Sequence, residues 1–235
     1  MAPPPPSLVE ELVEEILLCT PLDEPERLVH AALVCKAWCS LVSDPGFRRR
    51  FCERHRSRAT VLGFLRNFAK KRDIMTTYFI PTCSFRPRHD ALRGWRVIDC
   101  RHGRVLLLSE RGQSTSKCWY FSLAVWDPIT GNQRNLPRVP CTDGTWRAAV
   151  LCAAKCDHLD CHRGPFLVVV MATYNDGMTS AYVYSSESDA WDEPTFAQHQ
   201  ICLLEEGRGA HAGNALYFIR SIRRMTLHLV MACIG

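Results

Sequence analysis

Apolar residues follow two different periods in this chain. From Ser7 to Phe51 they recur at helical spacing. Leu8, Leu12 and Ile16 are four apart, with Val9, Val13 and Leu17 beside them, which predicts an amphipathic helix with a broad aliphatic stripe. Glu10, Glu11, Glu14 and Glu15 occupy its other side. A second helix is expected from Pro25 and Glu26, where proline fits the first turn, and carries Leu28, Ala31, Ala32, Cys35 and Trp38. A third follows the cap-like Ser43-Asp44-Pro45 and runs into Phe47 and Phe51. The expected unit is a small three-helix module over residues 7–55, behind a proline-rich disordered tail, 1–6. So short a stretch carries more apolar surface than it buries alone, so the module is expected to dock against something.

From about residue 92 the pattern changes to short apolar runs punctuated by Asp, Asn, Gly and Pro. WRVIDCRHGRVLLLSERG reads as two strands across a His102-Gly103 turn, and LAVWDPITGNQRNLP as a strand, a turn and a return strand. WRAAVLCAA, GPFLVVVMATYNDG, TSAYVYSSESDAWDEP and HAGNALYFIRS continue the series. A weak repeat is visible: LAVWDPITGNQRNLP and AYVYSSESDAWDEP share one plan, and GRVLLL matches GNALYF. The fold class is therefore α+β as two domains, with an all-β, propeller-like region at 92–235 and a basic linker at 56–91. Roughly 175 residues follow the module, about three and a half blades at about 50 residues each, so the expectation is either a smaller closed or sandwich-like arrangement or, by preference, an incomplete propeller ending in the apolar strand LHLVMACIG.

Composition narrows the classes. A formal charge of +5 suits a soluble protein and does not by itself indicate a nucleic-acid binder. The acidic N-terminus has no basic segment followed by an apolar run, and no apolar run reaches the roughly 20 residues of a membrane span. Cytoplasm or nucleus is the expected compartment, with no membrane partner. There the thirteen cysteines, odd in number and set in apolar strings, are expected to be reduced, buried hydrophobes rather than a disulfide framework.

The order of features in EEILLCTPLDEPERLVHAALVCKAWCSLVSDPGF resembles the F-box, the helical module by which substrate receptors join SCF-type ubiquitin ligases. The resemblance implies docking to a Skp-family adaptor, and through it to cullin, by Leu8, Val9, Leu12, Ile16, Leu17, Leu33, Val34, Cys35, Trp38 and Pro45. The alternative for Leu12, Ala32 and Val34 in particular is the module's own core. F-boxes usually open with Leu-Pro, whereas Val9 follows Leu8 here. VWDPITGNQRNLP and WRVIDCRHGRVLLL resemble the kelch-like F-box-associated β domains of plant F-box proteins, which implies recruitment of a target protein. The implied role is a non-catalytic substrate receptor without a cofactor.

Other chemistry is weaker. Cys156, His158, Cys161 and His162 are zinc-type ligands packed within seven residues, without the folded loop that separates two ligand pairs, so a polar loop is the competing reading. RRRFCERHRSR, from 48 to 58, is either a phosphate-binding or nuclear-import patch, or a solvated helix end. No nucleophile elbow, P-loop or dinucleotide fingerprint is present. Alternative functions are a truncated relative that binds the adaptor without an intact substrate site, a nucleic-acid-binding protein using the basic cluster, and a zinc or redox protein built on the Cys156 loop.

Overall fold

Apolar and acidic residues of the first sixty positions form four helices: α1 (Glu10–Leu18), α2 (Glu26–Val34), α3 (Lys36–Ser43) and α4 (Pro45–Arg54). The computed structural model describes residues 9–22, 24, 26–55, 61–70, 74–83, 85–87, 92–109, 121–139, 144–153, 164–198, 203–204, 209–212, 215–221 and 227–233. The expected three helices become four because Cys35 interrupts the second. Its backbone is fully extended (φ −158°, ψ 166°), and its carbonyl accepts the Cys39 N–H at 3.0 Å to open α3. Apolar spacing continues across the break, so periodicity alone conceals it. The start of α4 is as expected: the Phe47 N–H donates to Asp44 Oδ2 at 2.8 Å, and Pro45 fills the first turn. Val13, Leu17, Leu18, Ala31 and Phe47 form the core, ringed by Leu28, Trp38, Leu41, Val42 and Phe51. None of the described helices is long and apolar enough to cross a membrane.

The chain divides into two compact units, 1–62 and 63–235. The second consists of antiparallel sheets. Strands β1 (Gly63–Lys70) and β2 (Ile74–Pro81) form a hairpin inside the stretch read from sequence as a linker. There Leu65 and Phe79 turn inward while Phe64, Phe68, Tyr78 and Ile80 turn outward, a period of two that the basic charges obscured. Strands β3 (Arg96–Arg101), β4 (Arg104–Ser109), β5 (Ser122–Trp126) and β6 (Gln133–Asn135) form a four-stranded sheet in sequence order. The expected two-residue turn joins β3 to β4, with both His102 (φ 51°) and Gly103 (φ 73°) in the left-handed region.

The next sheet runs β7 (Thr145–Cys152), β8 (Phe166–Thr173), β9 (Met178–Ser185) and β10 (Ala190–Trp191), with β11 (Thr195–Gln198) also on β9. The last pairs β14 (Ala215–Ser221) with β12 (Leu203–Leu204), β13 (Ala210–Ala212) and β15 (Leu227–Cys233). The two repeated sequences, LAVWDPITGNQRNLP and AYVYSSESDAWDEP, become the β5–β6 and β9–β10 hairpins, each the last pair of its four-stranded run. Among the described residues the sheets form no closed barrel or propeller, so the propeller-like expectation stands as β-rich sheets.

Three apolar layers separate these sheets. The hairpin's Leu65 and Phe79 pack with Leu92, Val105, Leu107 and Trp126. The other face of the β3–β6 sheet meets the β7–β11 sheet through Leu106, Leu108, Val150, Val168, Val170 and Tyr184. Ala149, Leu151, Val169 and Met171 face the last sheet's Leu204, Leu216 and Phe218. Strand β8 is thus apolar at consecutive positions because both its faces are buried. Cysteines depart from expectation: Cys19 and Cys35 at the ends of helices, Cys39 on α3 and Cys100 on β3 are all exposed.

Polar side chains join the layers. Asn67 on β1 pairs with the β3 backbone as a strand would: its Nδ2 donates to the Val97 carbonyl at 2.8 Å, and its Oδ1 accepts the Val97 N–H at 3.0 Å. A bulge between Val97 and Asp99 turns the buried Asp99 carboxylate toward β7. Asp99 Oδ2 accepts the Val150 N–H at 3.0 Å and the Arg101 Nε–H at 2.9 Å. Tyr184 donates to Asp189 Oδ1 at 2.6 Å; burial first, then that hydrogen bond, pushes its phenol up to about 12.

Two outcomes follow from these contacts. Asp99→Ala leaves the Val150 N–H without its acceptor and Arg101 with the Gly209 carbonyl in place of its carboxylate partner, and urea unfolding of the β unit, read by tryptophan fluorescence, should show a loss of about 3 kcal/mol. Because the folded-state value of Tyr184 lies above the ordinary 10, its contribution to stability is complete below pH 10 and is lost as pH rises toward 12. A titration at 295 nm should show one tyrosine ionising last, and Tyr184→Phe should remove that step.

Candidate functional site

Helix α1 sorts its apolar residues onto two faces. Val13, Leu17 and Leu18 point into the core, whereas Val9, Leu12 and Ile16, spaced three and four apart, point to solvent. Leu12 is 52% exposed and Ile16 55%. On α2, Ala31 is buried while Val29, Leu33 and Val34 are exposed, Leu33 at 78%. Each such residue leaves apolar area in water whose burial is worth about 25 cal/mol per Å², and together they form the largest set of exposed aliphatics described in either unit.

The expected docking residues separate clearly. Val9, Leu12, Ile16, Leu33, Val34, Cys35 and Pro45 are exposed, and Trp38 is half-buried against the core. Leu17, at 7% exposure, packs inside the module, because it lies one residue round the helix from Ile16 and faces Phe47's cluster. Leu8 lies outside the described residues, as do Cys156, His158, Cys161 and His162. Of the residues with a competing core reading, Leu12 and Val34 are at the surface and Ala32 is half-buried. Sequence reasoning missed Val29; its four-residue spacing to Leu33 carried the signal.

Three arginines of the basic cluster are paired within the module. Arg50 Nε donates to Glu14 Oε1 at 2.7 Å, and Arg54 Nη1 to Glu15 Oε2 at 3.1 Å, so α4 is laced to the acidic side of α1. Arg49 pairs with Glu53 one turn along. Exposed pairs contribute only about 0.2–1 kcal/mol each, but they fix which side of α1 remains open. His55 is buried, its Nε2 3.0 Å from the Leu18 carbonyl, and ties the end of α4 to the end of α1. These arginines therefore serve the module's assembly, and Arg56 and Arg58 lie outside the described residues.

In the β unit a cleft of about 430 Å³ is lined by Arg104, Asp127, Arg134, Phe166 and Ser186. Its charged groups already hold the fold. Arg104 donates to the Gly164 carbonyl, and Arg134 to the Ser186 carbonyl at 2.9 Å and to Asp189. The Asp127 carboxylate accepts from Ile129 and Thr130 within its own turn. No arrangement of nucleophile, base and orienting group appears in that lining.

Residues 10–54 match the family described as F-box-like, and the match ends on the last residue of α4. No curated protein matches the chain. An F-box-like domain is thus followed by a β-rich region.

The division of α1 into core and surface predicts opposite consequences for neighbouring leucines. Leu17→Ala should lower the helical unit's stability by about 3 kcal/mol, whereas Leu12→Ala should change it by less than about 0.5 kcal/mol. Thermal melts of the two full-length variants by circular dichroism distinguish them.

Proposed function

We propose that this protein is a substrate-receptor subunit of an SCF-type ubiquitin ligase. The observation that carries the reading is the set of exposed aliphatics of an F-box-like domain, Val9, Leu12 and Ile16 along α1 and Val29, Leu33 and Val34 along α2. F-box domains generally bind Skp-family adaptors, and an apolar helical surface of this kind suits burial against a partner's helices. Val9, where the F-box pattern has proline, has φ −63°, the value a proline ring imposes, so the backbone keeps the geometry despite the change.

The β-rich region then holds the protein to be modified. Its successive antiparallel sheets of four, five and four strands fit a propeller-like, kelch-type arrangement of the kind found in plant receptors. The chain's contribution is proximity and orientation: a target held near a ubiquitin-loaded enzyme reacts at a raised effective concentration, with no covalent step on the receptor. Cytoplasm and nucleus are the compartments in which this role operates.

The test uses surface residues, because Leu17 and Trp38 also support the core. Purified full-length chain should capture a Skp-family adaptor stoichiometrically, and Leu12→Asp combined with Leu33→Asp should weaken capture by at least about 100-fold with an unchanged melting profile. Capture that survives the double substitution would remove the basis for the reading.

A further inference from the structure

The β1–β2 hairpin presents a second surface that the adaptor reading does not use. Its register places Phe64 opposite Ile80 and Arg66 opposite Tyr78, and these four side chains, with Phe68, turn away from the core. Phe64 is 61% exposed. The opposite face is locked: Leu65 and Phe79 pack against the β3–β6 sheet, and Asn67 is held to the Val97 backbone. The Thr77 hydroxyl donates to Asn67 Oδ1 at 2.6 Å, which fixes the amide's orientation. The outward face is therefore rigid before anything binds, which lowers the entropy cost of docking.

Charge gives the face its sign. The charged residues among the described positions of 61–98 are Arg66, Lys70, Arg86, Arg93 and Arg96, all basic. Among the described residues of that span there is no carboxylate, and Arg66 and Arg93 are exposed. The Arg66 guanidinium lies 4.4 Å from the centre of the Phe68 ring, and Phe68 meets Tyr78 edge-on at 5.4 Å and 84°. These rings form a closed cluster with an arginine on it, not the parallel open plates on which successive bases stack. The aliphatic Ile80 beside Phe64 likewise suits an apolar side chain rather than a base.

From this juxtaposition we propose that the outward face of the hairpin, built from Phe64, Arg66, Phe68, Tyr78 and Ile80, is the docking platform for a protein segment that alternates acidic with large apolar residues. Within the substrate-receptor reading, on which this rests, that segment belongs to the protein to be ubiquitylated. Apolar side chains of the segment bury Phe64, Ile80 and the Phe68–Tyr78 pair, while its carboxylates meet Arg66 and the surrounding positive field.

The probe is a fluorescein-labelled peptide alternating Glu with Phe and Leu, with a Lys-for-Glu counterpart and a single-stranded uridine oligonucleotide beside it. Fluorescence anisotropy with the full-length chain should show binding of the acidic peptide that weakens with added salt, and no binding of the lysine peptide. Arg66→Glu should weaken it by about tenfold or more, and so should Phe64→Ser with Ile80→Ser. All of these positions are exposed, and adaptor capture by the same samples should be unchanged. Equal binding to wild type and both variants, or no binding, overturns the proposal. Oligonucleotide binding lost in Arg66→Glu would reassign the face to nucleic acid. A dimer in sedimentation that disappears with Phe64→Ser would reassign it to a second copy; either result also overturns the proposal. Acidic-peptide binding without adaptor capture would defeat the ligase reading and leave the platform standing.

Discussion

A buried sheet edge must still satisfy its backbone groups, and the β unit is organised around how it does so. Strand β3 ends one sheet and β7 ends the next. Each would bury unpaired N–H groups where the sheets meet, at a cost comparable to a lost hydrogen bond per group. Asn67 meets the need at β3, supplying both a donor and an acceptor to Val97. Asp99 meets it at β7 by accepting the Val150 N–H. The third joint follows the same principle, with the Leu204 N–H donating to the Thr145 hydroxyl and Arg147 donating to the Leu204 carbonyl. Because each side chain satisfies an edge that would otherwise recruit another strand, the sheets pack face to face and do not merge into one. The apolar layers supply most of the burial energy, and these polar joints decide where each sheet stops.

The helical module obeys a different constraint. Its core rests on five buried apolar residues, while a similar number of aliphatics on α1 and α2 stay in water. The partition is set by electrostatics as well as by periodicity. Glu14 and Glu15 are drawn to Arg50 and Arg54, so α4 occupies one side of α1 and leaves the Leu12–Ile16 stripe uncovered. Buried His55 fixes the same pairing by way of the Leu18 carbonyl. Within the charge cluster, Arg50 and Arg54 thus help determine which apolar face is offered outward.

Much of this was legible in the chain. Helical spacing in the first sixty residues, the Asp44-Pro45 cap, the His102-Gly103 turn and the paired hairpins all depend on local chemistry, and local chemistry is what a sequence displays. The break at Cys35 was not legible, because the apolar rhythm continues through it and only the backbone angles change. The β1–β2 hairpin was hidden by its charges, since KKR beside FLRNFA reads as solvated linker until the inward Leu65 and Phe79 find a sheet to cover. Leu17 and Ile16 are adjacent and equally apolar, so their opposite fates depend on where α4 packs, a tertiary fact. The Asn67 and Asp99 joints depend on pairing across 30 and 51 residues, a distance over which one sequence carries no pattern.

The two units differ in how much they depend on a partner. Three apolar layers and their polar joints hold the β unit together from within. The helices have one small core, below the size that usually sustains itself, so anything that covers α1 and α2 also stabilises the fold that presents them. By mass action, a partner at a hundred times its dissociation constant adds about 2.7 kcal/mol, comparable to burying one more large side chain. Recruitment and folding of the module are thereby linked. With α1 and α2 uncovered the helical module is the less stable form, whereas the β unit draws its stability from its own three apolar layers.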